Sequence, residues 1–226
     1  MPSRVIHLAV AECLLRQIPA FPCDPDRFRL GSVLPDCAPN RAGHPEIRFA
    51  DPAAGRTKKT YDLTGFRARF GEKLPADGLY LGYYLHLVGD IVQRKMLYGE
   101  TGYDPHVPGN VARLHRDYEL LNPYMIEKYA LKAPPPLPAG IEEEELFSLA
   151  PFFASEFLTD MLRDFEMPPV PETEESCRFF SPAMADEFVR RAVLASQREI
   201  LAFSGGSAPL DEFAEAWESG SPSPRR

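Results

Sequence analysis

The chain carries one long apolar run, from Asp77 to Tyr98, and nothing else in its 226 residues limits the fold as strongly. Leu79, Leu81, Tyr84, Leu87, Val88 and Ile91 fall on every side of a 3.6-residue period. The spacing predicts a helix that neighbours must shield all round, hence a central one. Inside it His86 and Asp90 stand four residues apart, one above the other on a single face. A buried carboxylate without a partner is costly. A divalent metal is one partner, since imidazole and carboxylate form a common ligand pair. The others are a His–Asp hydrogen bond, or neutralisation by one of the 25 Lys and Arg residues. Gly82 and Gly89 on the same run leave room for a close helix or a metal.

The remaining pattern reads as helical. Ser3 caps a first helix to about Gln17, where Ile18-Pro19 ends it. A short helical piece spans Phe28–Leu34, and residues 40–60 read as an exposed loop. Phe66, Phe70 and Leu74 mark another short helix. A further helix starts near Asn110, breaks at Asn122-Pro123 and resumes to Tyr129. Ile141–Phe165 and Pro182–Phe203 are helical by period, separated by the Pro- and Glu-rich stretch Glu166–Glu175. Leu210–Trp217 suits a short last helix. The fold class expected is all-α, a single compact helical domain. It divides into a core over 1–132, a Pro-rich linker over 133–140, C-terminal helices over 141–218 packing on the core, and a disordered tail over 219–226.

Composition excludes several functions. A formal charge of −8 disfavours a nucleic-acid surface, which shows as a basic patch. Cys13, Cys23, Cys37 and Cys177 form no CxxC pair, so a thiolate zinc site is not expected. The first residues lack the pattern of a signal peptide, and no run reaches the roughly 18 apolar residues of a membrane span. A cytoplasmic protein with reduced thiols and no stable membrane association follows. The oligomeric state is not legible.

The other histidines and acids of the chain are candidate companions for the His86–Asp90 pair. His7 lies at the edge of the first helix's apolar stripe. Asp36 follows Leu34-Pro35 in a turn, where an aspartate ordinarily caps backbone amides. His44 is in the loop after it, and His106 is in a Pro-rich loop. His115 starts a helical turn that also holds Asp117 and Glu119.

The order of Val5-Ile6-His7, Leu30-Gly31-Ser32-Val33-Leu34-Pro35-Asp36 and Leu81-Gly82-Tyr83-Tyr84-Leu85-His86-Leu87-Val88-Gly89-Asp90 resembles the zinc-dependent phospholipase C family and its cytosolic bacterial relatives. The resemblance covers roughly residues 1–130. It implies an all-helical fold whose cleft holds zinc or another divalent metal that activates water against a phosphodiester. It makes Asp36, His86 and Asp90 ligands, with Asp90 bridging and His7 joining through a shared or second ion. The family's loop histidine precedes a phenylalanine. In this chain that place falls on Arg48-Phe49, with His44 four residues earlier, so either side chain can enter the site.

The resulting expectation is a metal-dependent hydrolase of a small-molecule phosphoester. Its ligands are His7, Asp36, His44, His86 and Asp90, with Asp36 alternatively the general base. Arg48, His115 and Asp117 are candidates for the surrounding shell. The alternative is a non-catalytic helical protein whose His/Asp cluster is a hydrogen-bond and salt-bridge network, with Arg48 or Arg94 offsetting the carboxylates. A nucleotide-type His-Asp phosphohydrolase is a third reading, but the chain lacks the adjacent His-Asp dipeptide that it needs.

Overall fold

In the computed structural model, which describes residues 3–19, 21–51, 56–166 and 177–218, the apolar run is a single helix, α4 (Gly78–Glu100). Asp77 caps it by accepting from the Leu79 amide at 2.9 Å. Every residue from Gly78 to Ile91 is buried, as an all-round apolar helix requires. Its neighbours are α1 (Arg4–Gln17), α2 (Pro25–Val33), α3 (Leu63–Phe70) and the C-terminal α7 (Pro182–Phe203). Helix α5 (Asn110–Lys128) packs on α1, and α6 (Ala154–Asp164) packs on α5.

The closest of these contacts is α2 against α4, and glycine permits it. A Cβ on Gly31 would lie 2.2 Å from the Leu79 carbonyl oxygen, and one on Gly82 would lie 2.3 Å from that of Phe28. Neither contact is physically possible, so the two backbones touch where only hydrogens intervene. Helix α2 then runs directly into a 3₁₀ turn, Leu34–Cys37, which carries Asp36 beside α4.

The chain is mostly helical, but a small antiparallel sheet corrects the all-α expectation. Strands β1 (Glu46–Asp51) and β2 (Arg56–Tyr61) pair from Glu46↔Tyr61 to Asp51↔Arg56. β3 (Trp217–Glu218) adds to β2 through Lys59↔Trp217. The segment 40–60 is therefore not one exposed loop. Its strand signal is weak because Ile47 and Phe49 are the only large apolar residues of β1, and cross-strand pairing completes the element.

Three other expectations are corrected. Ile141–Phe165 is two 3₁₀ turns, Ile141–Glu143 and Glu145–Ser148, followed by a helix that starts only at Ala154, beyond Pro151. Helix α5 passes through Pro123 without a break, losing one amide donor while its neighbours on both sides hold the turn. Leu210–Trp217 forms turns that lead into β3. The tail over 219–226 and nearly all of the Glu166–Glu175 stretch lie outside the described residues. Among the described residues no helix is long and apolar enough to cross a membrane.

If the α2–α4 crossing depends on missing side chains, one methyl group should disturb it. Gly82→Ala is expected to lower unfolding free energy by about 1–3 kcal/mol, the usual cost of overpacking a core. Gly89→Ala is the control, because its Cβ would stand an ordinary 3.7 Å from the His7 ring. Urea unfolding curves of the two variants should therefore separate; equal midpoints would contradict the packing argument.

Candidate metal centre

Helix α4 presents His86 and Asp90 toward the turn and loop that follow α2. The α2–α4 contact fixes the first of them: His86 Nδ1 lies 2.8 Å from the Ser32 carbonyl oxygen. A carbonyl can only accept, so Nδ1 carries the proton and Nε2 presents a lone pair. Burial, with His7 adding to it, lowers the His86 pKa to about 4, so the ring is neutral near pH 7.

His44 reaches the same point from the loop before β1. That loop is held by the Tyr83 hydroxyl, which donates to the Gly43 carbonyl. Gly43 itself lies where a Cβ would be 2.3 Å from the Pro35 carbonyl oxygen. His44 Nε2 stands 3.0 Å from His86 Nε2, 3.6 Å from Asp36 Oδ1 and 3.4 Å from Asp90 Oδ2. His86 Nε2 is 3.9 Å from Asp36 Oδ1. From α1, His7 stacks on His86 with ring centroids 3.7 Å apart, and its Nε2 is 3.4 Å from Asp90 Oδ1. His7, His44, His86 and Asp90 are all buried, and Asp90 has no exposed surface.

These separations match the edges of a coordination shell. Two ligands held about 2.0–2.1 Å from a tetrahedral ion stand roughly 3.4 Å apart. Two overlapping triads, His7–His86–Asp90 and Asp36–His44–His86, each bring their donor atoms within 4.8 Å of one another. Three of the atoms involved, His7 Nε2, Asp36 Oδ1 and Asp90 Oδ1, are buried without a hydrogen-bond partner. Three imidazoles and two carboxylates form a donor set that suits zinc, manganese or iron. The residues fit a divalent cation.

The charges of the cluster are separated by environment. Burial alone would raise the Asp90 carboxyl, yet His7, His86 and His44 together hold it well below the usual carboxylate range. Burial pushes the Asp36 carboxyl up to about 6, against the pull of His86. Burial also keeps His44 neutral by lowering its pKa well below the ordinary imidazole value. Asp36 lines a cleft of about 560 Å³ whose walls include Arg4, His115, Tyr118, Asn122 and Phe157. Arg4 bonds Asp164 at 2.6 Å and Asp160 at 2.9 Å, which ties the start of α1 to α6 across that cleft.

Two candidates lie elsewhere. Arg48 does not enter the centre: its side chain is 66% exposed on β1 and its nearest carboxylate is Glu46 at 3.6 Å. The pleat decides this, because β1 aims Arg48 at solvent. Asp117 does not face the cleft either. Its carboxylate accepts from the backbone amides of Arg178, Phe179 and Phe180 at 2.9, 2.7 and 3.0 Å, tying α5 to the segment before α7. His115 is exposed at the rim of the cleft, and His106 is exposed in its loop.

Tyr61 and Arg41 were missed by sequence reasoning. The Tyr61 hydroxyl donates to Asp90 Oδ2 at 3.0 Å and accepts from Arg41 and from Arg94 Nε, the latter at 3.2 Å. Nothing in a lone Thr-Tyr at a strand end signals such a contact. The cations therefore stop at the phenol, and no Lys or Arg of the described residues pairs directly with Asp36 or Asp90.

No protein-family model, curated protein or solved structure matches this chain.

The separate roles of Asp117 and the centre can be told apart. Asp117→Ala leaves the buried amides of Phe179 and Phe180, and the part-buried amide of Arg178, without their acceptor and should cost on the order of 3 kcal/mol of stability. Its divalent-cation uptake at a temperature where it stays folded should equal that of the unaltered chain. A loss of cation uptake in the folded variant would return Asp117 to the site.

Proposed function

We propose that this chain is a metal-dependent hydrolase of phosphoesters, with His7, Asp36, His44, His86 and Asp90 holding a divalent cation. The observation that carries the reading is the pair of donor triads, His7–His86–Asp90 and Asp36–His44–His86, that meet at His86, with four of the five residues buried, Asp36 half-buried, and no direct cationic partner. The order of motifs resembling the zinc-dependent phospholipase C family supports the phosphoester as substrate class. Four free cysteines fit the reducing compartment expected of a cytoplasmic protein.

The chemistry such a cation supplies is Lewis-acid polarisation of a phosphoryl oxygen and acidification of water. The chain's own residues do the rest. His86 is held in one tautomer by Ser32, so its Nε2 donor costs no reorganisation. Asp36 lines the cleft, and the carboxylate oxygen turned away from the histidines is placed to take a proton from water. The buried face of α4 closes the rear of the centre to solvent. Substrate enters through the cleft lined by Arg4, Tyr118, Asn122 and Phe157, with Arg4 already paired to Asp160 and Asp164.

The competing reading, a non-catalytic polar network, has one observation in its favour. Tyr61 gives Asp90 a hydrogen bond backed by two guanidinium groups. That network still leaves buried donors and acceptors unpaired, each at a cost of about 1–3 kcal/mol. A bound cation removes the discrepancy.

Elemental analysis of protein prepared without chelator and equilibrated with zinc should find roughly one or more divalent ions per chain, lost in His86→Ala. With metal present, hydrolysis of bis(p-nitrophenyl) phosphate should fall at least about 100-fold in Asp36→Asn. A folded chain that takes up no divalent cation would overturn the proposal.

A further inference from the structure

The hydroxyl of Tyr61 has its hydrogen bonds fully assigned. Two guanidinium N–H groups, from Arg41 and Arg94, occupy its acceptor side, so its single proton is committed to Asp90 Oδ2. Tyr61 has no exposed surface. Among the described residues neither arginine makes an ion pair. Arg94 is capped by the Trp217 ring at 4.9 Å and bonded to the Tyr98 hydroxyl at 2.8 Å. Arg41 keeps a buried Nε with no partner.

The backbone is bent to achieve this. Asn40 and Arg41 are consecutive non-glycine residues in the left-handed region, at φ 52° and 63°. Asparagine tolerates that conformation; arginine gains nothing local from it. The same turn delivers His44, whose amide donates to the Arg41 carbonyl at 3.0 Å. One strained turn thus sets a donor of the centre and the cation behind it.

We propose that Tyr61 is a positioning residue that locks Asp90 onto the Arg41–Arg94 pair, and that this pair makes the cation-loaded centre a receptor for an oxyanion. The inference rests on the metal reading above and deepens it. Two carboxylates, Asp36 and Asp90, are balanced by two guanidinium groups before any ion binds. A divalent ion then leaves two positive charges in excess around a buried point, and a phosphoryl group is the ligand that neutralises them. The pair acts on the centre through the phenol and through its field, since neither arginine contacts the donor atoms.

The test measures two affinities in the full chain: zinc, by competition with a chromophoric chelator, and inorganic phosphate on the zinc-loaded protein, by calorimetry. Tyr61→Phe keeps the ring but removes the bond to Asp90, and zinc should bind roughly 10–100-fold more weakly. Arg94→Met should move the two affinities in opposite directions. Zinc binds more tightly once a nearby positive charge is gone, and phosphate binds more weakly, on the order of tenfold. General damage to the fold would lower both. Arg41→Gln provides the same sign test should Tyr61→Phe fail to fold. Unchanged zinc affinity in folded Tyr61→Phe, or a parallel loss of both affinities in both arginine variants, would overturn the relay. If His86→Ala still abolishes zinc binding in that case, the metal reading stands without it. An unaltered chain that binds no zinc removes both.

Discussion

Backbone contact between α2 and α4 is the constraint on which the rest of this molecule depends. Gly31 and Gly82 let two helices meet where side chains would hold them apart. That approach brings the Ser32 carbonyl to His86 Nδ1 and so decides which nitrogen of the ring faces inward. It also sets the start of the turn that carries Asp36, and the loop after that turn brings back His44. Shifting the crossing by the width of a methyl group would move three donors of the centre at once. Packing, tautomer and coordination geometry are consequences of one close contact.

The electrostatics follow from burial. Two carboxylates and three imidazoles share a space from which water is largely excluded, where unpaired charge is expensive. The histidines stabilise the ionised form of Asp90, while Asp36, nearer the cleft, is left with a raised pKa. Two carboxylates in one cluster are thereby pushed apart in acidity, the arrangement that separates a permanent ligand from a proton acceptor. The arginines are kept one phenol away. At that distance they temper the negative charge of the centre without occupying the place of a cation.

Much of the helical frame was legible because its signal is local. Helix α4 follows from continuous apolarity, α1 from its apolar period with Ser3 as cap, and α7 from its period alone. His86 and Asp90 share a face by spacing alone, and His7 lies on a stripe that had to turn inward. The choice between His44 and Arg48 was not legible. It depends on how the 38–44 loop folds onto Pro35, with left-handed residues at Asn40 and Arg41 that no spacing rule anticipates. The hairpin was missed because its strands are half polar and are stabilised by each other. Asp117 misled because a carboxylate that lines a cleft and one that ties down a distant loop look alike in one dimension.

The central claim is that Asp36, His44 and His86 hold a divalent cation, with His7 and Asp90 forming the adjoining triad on His86. The most direct measurement is a crystal structure of zinc-equilibrated protein with anomalous data collected on both sides of the zinc edge. The expected result is an edge-dependent peak about 2.0–2.3 Å from His44 Nε2, His86 Nε2 and an Asp36 oxygen. A map without that peak, with the two imidazoles hydrogen-bonded to one another and ordered water among the carboxylates, would contradict it.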